Sequence, residues 1–314
     1  MKLREWHRPL LVTAGLLFGL VLVSLAGMAL DDRVLMGESV WVKPLKFGFA
    51  FALYTGTLAW LIARMTRARR TGWWAGTIFA VASVVEVAAI TMQAARGTFS
   101  HFNANVDDPL TQLATQIFTS GVAGLFLTQL VIVVLVLCQH DGGQALSRAI
   151  RWGLGLAVAG MFVPVFWMAT NIQQRTVVDA NGTSVTMYQG HGIGDLDGHG
   201  MPITNWSVTG GDFRVPHFAG LHGIHLLLVL AAVLGMLATR VHWLRDEATR
   251  ARLIRIAALG YTGLFAVVAW QAGRGQSLIH PDGQTLAAFG VVALSTVAAI
   301  LWARARGKAR LRSA

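Results

Sequence analysis

The residues best able to do chemistry in this chain are its histidines, and they are unevenly placed. Three of the ten, His217, His222 and His225, fall within nine positions, in an apolar stretch that carries no charge from Val215 to Thr239. Neutral imidazole is the commonest side-chain ligand of transition metals, and imidazole also holds haem iron. Pro216 suits the first turn of a helix, where its missing N–H costs nothing. A helix from there puts His222 and His225 on one face. Imidazoles at membrane depth are expensive and face a protein interior or a watery cavity. An acid, Glu86, stands in another apolar run. At 1.5 Å per residue it lies about 15 Å below Arg96, and His225 lies about 12 Å below His217. The two are therefore expected at similar depth.

Three chemistries fit these residue types. The first is redox: haem b or a transition metal near the outer face, with His101, His217 and His222 as cofactor ligands and His225 joining them around a metal ion. Glu86 would tune such a centre or relay protons. Arg96 and Arg274 would hold haem propionates, a quinone headgroup or a carboxylate. The second is binding or transport of a small anion by a rim of Lys43, Lys46, Arg96, Arg214 and Arg274, whose alternative is pairing with Asp107, Asp108 and Asp212. Against transport, the inner halves of the spans hold only scattered Thr, Ser and Gln. The third is metal-dependent hydrolysis in the membrane with Glu86 as general base; neither HExxH nor GxSxG occurs. His191, Asp195, Asp197 and His199 lie within nine residues and read as a Gly-rich turn, with a small-cation loop as the alternative. Redox is the expectation taken forward.

A membrane bundle must position these residues. The chain is 54% hydrophobic and 13% charged, against about 25% charged in soluble domains. Apolar runs of about 20 residues, enough to cross a bilayer, occur at 9–30, 44–64, 73–95, 113–138, 150–171, 216–239, 253–272 and 286–303. The expected fold is all-α: a polytopic bundle of eight transmembrane helices forming a single integral membrane domain over 1–314. The segment 172–215 is its long extracytoplasmic loop, long enough to be functional or a lid. The run 9–30 exceeds a signal-peptide core and reads as a retained first helix. Of 26 Lys and Arg, 19 fall on one side, and ten of 15 acids on the other. The positive-inside rule then places both termini in the cytoplasm. The net charge of +11 is thus a topology signal: the lipid bilayer is the partner it implies, not nucleic acid, and no protein partner can be named. Arg outnumbers Lys 22 to 4, a bacterial, high-GC character, so the expected location is a bacterial plasma membrane. A lone cysteine, Cys138, excludes an internal disulfide. Trp41 and Trp206 read as interfacial anchors. Gly121 with Gly124, and Gly153 with Gly155, read as close-packing positions.

The chain also echoes itself. The third run ends Gln93-Ala-Ala-Arg-Gly97 and the seventh Gln271-Ala-Gly-Arg-Gly275. Pro44-Leu-Lys-Phe47 opens the second and Pro216-His-Phe218 the sixth. Both echoes are four spans apart, which suggests a 4+4 parallel repeat about an axis along the membrane normal. Helices two, three, six and seven would then enclose a shared pocket.

Trp41-Val-Lys-Pro-Leu-Lys-Phe47, Gln93-Ala-Ala-Arg-Gly97 with Ser100-His-Phe-Asn103, and Gly211-Asp-Phe-Arg-Val-Pro-His-Phe-Ala-Gly-Leu-His222 together resemble an uncharacterised family of bacterial multi-span integral membrane proteins. The resemblance runs from about residue 41 to 285. It implies a fold and brings no activity. His199 and His225 depart from its pattern, which ranks them below His101, His217 and His222 as ligands.

Overall fold

The structure, a computed structural model, describes residues 2–139, 142–170 and 173–312. His140, and Ile172 at the start of the expected loop, lie outside them. Eight long helices occur among the described residues: α1 (Arg8–Leu30), α2 (Val42–Ala63), α3 (Arg69–Ala95), α4 (Pro109–Leu137), α5 (Gln144–Thr170), α6 (Arg214–Leu237), α7 (Glu247–Gly273) and α8 (Gly283–Arg312). Each is long and apolar enough to cross a bilayer. The protein is an all-α, multi-pass membrane bundle.

Local chemistry sets where several helices start. Asp108 accepts from the backbone N–H of Leu110, with Pro109 in the first turn of α4. Asp246 accepts from Ala248 and Thr249 and starts α7 six residues before its apolar run. His7 caps α1 by accepting from Leu10 N–H at 3.3 Å, so this imidazole is a structural cap. α8 runs past residue 303 into the basic tail because Ala, Arg and Lys favour helix.

The chain divides into two compact units. The first comprises residues 1–139, 171–190 and 199–205, and contains α1 to α4. Here α1 rests on α2 and α3, α2 on α3, and α3 on α4. The second comprises residues 140–170, 191–198 and 206–314, and contains α5 to α8. Here α5 rests on α6 and α7, α6 on α7, and α7 on α8. The order of neighbours is the same in both, as expected of a duplicated four-helix unit. The closest approach is also repeated. A Cβ on Gly48 would stand 3.1 Å from Leu17 O of α1, and one on Gly220 would stand 2.4 Å from Gly160 Cα of α5. Each glycine lies four residues after a proline, Pro44 or Pro216.

The α1–α2 connection and the long loop are built rather than loose. Strands β1 (Val34–Leu35) and β2 (Glu38–Ser39) form a hairpin over Met36 and Gly37, both at positive φ. Strand β3 (Arg175–Val178) pairs antiparallel with β4 (Ser184–Met187), and Met187 bridges to Asn103 within the first unit. In the second unit β5 (Gly192–Ile193) pairs with β6 (Gly211–Asp212). Asp195, one of the acids in the supposed cation loop, accepts from Gly198 N–H, Ser207 Oγ and Thr209 Oγ1, so it shapes this turn. In each unit these strands lie at the end where its first helix finishes and its second begins, the hairpin end.

Candidate functional site

Within the first unit, Glu86 and His101 come together. Glu86 lies in α3, 2% exposed, nine residues from the last residue of that helix. Its Oε1 is 3.9 Å from Nε2 of His101. Its Oε2 has no hydrogen-bond partner among the described residues. Gly121 of α4 lies against that oxygen: a Cβ there would be 2.3 Å from Oε2. The local reason is that α3 and α4 approach where α4 has no side chain, and the carboxyl fills the gap.

His101 sits in the turn between α3 and α4. Its ring stacks on Phe118 at 4.3 Å and 16°, lies 5.9 Å from Phe47, and meets Phe102 edge-on. Ser100 Oγ is 3.2 Å from its Nδ1. Burial holds the imidazole well below its ordinary pKa, and the nearby positive charge of Lys43 lowers it further. A neutral His101 leaves the Glu86 carboxyl without a compensating charge, and an uncompensated charge in such surroundings costs several kcal/mol.

Four side chains close a ring above this pair. Gln93 donates to Thr111 Oγ1 at 2.9 Å, Thr111 to Asp108 Oδ2 at 2.6 Å, Arg96 to the same Oδ2 at 2.7 Å, and Arg96 to Gln93 Oε1 at 2.6 Å. The Thr111 hydroxyl and then the Arg96 guanidinium hold Asp108 below the usual carboxylate range. The ring ties the end of α3 to the start of α4 and fixes the turn that carries His101. The second unit has a counterpart. Arg274 grips Asp282 through two N–H groups, at 2.5 and 3.2 Å, and reaches Thr285 Oγ1 at 3.3 Å. Gln271 donates to Ser277 O as Gln93 does to Phe99 O, each six residues on. Gly97 and Gly275 share φ +73°, open to glycine and strained for other residues. Asp108-Pro-Leu-Thr111 and Asp282-Gly-Gln-Thr285 thus extend the repeat. The shared Asp-x-x-Thr spacing is the sequence signal of this ring.

The supposed cationic rim is largely engaged in ion pairs. Arg96 pairs with Asp108, Arg214 with Asp212 at 2.6 Å, Arg274 with Asp282, and Lys46 with Glu38 at 3.1 Å. Beside Arg96 a half-open polar cleft of about 240 Å³ is lined by Asn105, Asp108, Asp179, Asn181 and Thr183.

The other candidate histidines belong to α6 in the second unit. His217 Nδ1–H donates to Gly160 O of α5 at 2.8 Å, an assignment that follows from the carbonyl being an acceptor only. That leaves its Nε2 with the lone pair. His222 and His225 face one another, Nδ1 to Nδ1, at 3.2 Å. Phe218 lies against the His222 ring at 4.3 Å. The predicted site residues thus fall into two sets, Glu86, Arg96 and His101 in the first unit and His217, His222, His225 and Arg274 in the second. Among the described residues no three His, Cys, Asp or Glu side chains are grouped as a metal ion would need.

Fold and site together define a multi-pass membrane protein with a buried carboxyl–imidazole pair in one of two similar four-helix units. Compared with family models, curated proteins and solved structures, the chain matches none.

Proposed function

We propose that this is a proton-coupled redox protein of the membrane, in which Glu86 and His101 take up and release the proton. The observation that carries the reading is the buried Glu86 carboxyl, one oxygen without a partner, 3.9 Å from an imidazole. That gap exceeds a hydrogen bond, so a rotamer change or one bridging water completes the contact. A proton on the carboxyl then passes to His101 Nε2, and one on the opposite nitrogen leaves toward Ser100. Phe118, stacked on His101, and Phe47 beside it wall the pair with aromatic surface; the electron partner in this reading is a planar redox carrier such as a quinone headgroup. Binding or transport of a small anion has less support, because such a ligand must displace Asp108 from Arg96 or Asp282 from Arg274. By the distribution of basic residues, we place the hairpin ends on the outer side of a bacterial plasma membrane, with both termini cytoplasmic.

A second reading makes the redox centre a haem b or a transition metal held in the second unit, with His217 and His222 among its ligands. The bond from His217 Nδ1–H to Gly160 O favours it, since ligating histidines have their second nitrogen fixed in this way.

The test is acid-induced infrared difference spectroscopy of the purified protein, with its visible spectrum and metal content. The first reading expects a protonated-carboxyl band that Glu86→Gln abolishes and His101→Gln shifts. If the band survives Glu86→Gln, Glu86 is not the group that exchanges the proton. A Soret band lost on His217→Ala would select the second reading.

A further inference from the structure

We propose that His222 and His225 form a two-histidine binding site on α6 for a divalent, borderline-soft cation of the Zn²⁺ class. The site is separate from the Glu86–His101 pair and does not depend on it. The two rings are three residues apart on one helix, tilted by 36° with centroids 5.0 Å apart. Their Nδ1 atoms are 3.2 Å apart. Zinc binds imidazole nitrogen at about 2.0–2.1 Å in tetrahedral geometry, which sets two nitrogens on one ion about 3.3–3.4 Å apart. The observed separation needs an opening of only a few tenths of an ångström to become that bite. Phe218, one helical turn before His222, covers its ring and restrains its rotamer. As a metal-free contact, one Nδ1–H donates to the other ring's Nδ1 lone pair; on cation binding that ring changes tautomer, its proton moving to Nε2, and both Nδ1 lone pairs face the ion.

No third His, Cys, Asp or Glu completes the set among the described residues. The ion therefore keeps open positions for water or an exogenous ligand, and its affinity is below that of a closed structural site. Zn²⁺ is redox-inert, so the site adds a Lewis acid or a structural clip and no electron carrier.

The test is titration of chelator-stripped, full-length protein in detergent with Zn²⁺ alone, read by competition with a metallochromic dye. One-to-one saturable binding is expected, with no net proton release near neutral pH. His222→Asn and His225→Asn should each weaken it at least about tenfold, and His280→Ala, on an exposed turn, should leave it unchanged. Thermal melts of each variant show whether it is folded. Absence of saturable binding in folded wild-type protein, or binding that survives the double variant, overturns the proposal and leaves a histidine–histidine hydrogen bond. Neither result bears on the carboxyl band of Glu86.

Discussion

Replacing Gly220 by alanine should damage the second unit, and the size of the effect follows from the seam between α5 and α6. The added Cβ would stand 2.4 Å from Gly160 Cα, 2.8 Å from Gly160 N and 2.9 Å from Leu156 O. All three are backbone atoms, and carbon atoms settle at about 3.5–4.0 Å. The helices must part by about 1 Å, because no side chain can swing aside. Overpacking of this kind costs about 1–3 kcal/mol. Parting also stretches the His217–Gly160 hydrogen bond, worth about 0.5–1.5 kcal/mol net. Alanine returns about 0.5–1 kcal/mol through helix propensity. The net loss is about 2 kcal/mol, or a fall in melting temperature of about 4–8 °C for a unit of this size. Thermal unfolding in detergent measures it. Gly155→Ala is the matched control: nothing lies within 4 Å of its Cβ position, so it should melt at or slightly above wild type. If Gly220→Ala melts with Gly155→Ala, the glycine seam does not hold this unit together.

The other predictions concern topology and protons. Cys138, exposed at the end of α4, should react with an impermeant maleimide in inside-out vesicles and stay unlabelled in right-side-out ones; the reverse pattern would invert the topology. Lys43→Met should move the His101 titration up toward its ordinary value, as read by NMR of the labelled ring, because a neighbouring positive charge is removed. His101 titrates lower folded than unfolded, so its contribution to stability is present above about pH 6.5 and is lost as pH falls below it. Lys43→Met should make that loss smaller and end it at higher pH; an unchanged ring titration and an unchanged acid loss would mean Lys43 has no hold on the ring. Asp108, also depressed, stabilises above about pH 4 and loses that contribution as pH falls through its folded value. Asp108→Asn should flatten this part of the acid-unfolding curve, while an unaltered curve would assign the acid loss to other carboxylates.

Hydropathy alone located all eight helices, because a bilayer requires an unbroken apolar run and the chain supplies eight, but α5 and α7 start six residues before their runs and α8 ends nine residues after its own. The duplication was legible for a similar reason. Gln93 to Gly97 and Gln271 to Gly275 are local turn motifs whose hydrogen bonds close within a few residues, so their spelling is retained. Tertiary structure decided which faces meet. In lipid, a helix is apolar both toward its neighbours and toward the acyl chains, so hydrophobic pattern carries little information about facing. Gly124 and Gly155 look like Gly121 and Gly160 in the sequence, yet only the latter two lie against other groups. The pairing of Glu86 with His101 and the face-to-face contact of His222 with His225 depend likewise on side-chain directions in three dimensions. Residue types and spacing announced buried titratable groups; helix rotation and depth determined which of them touch.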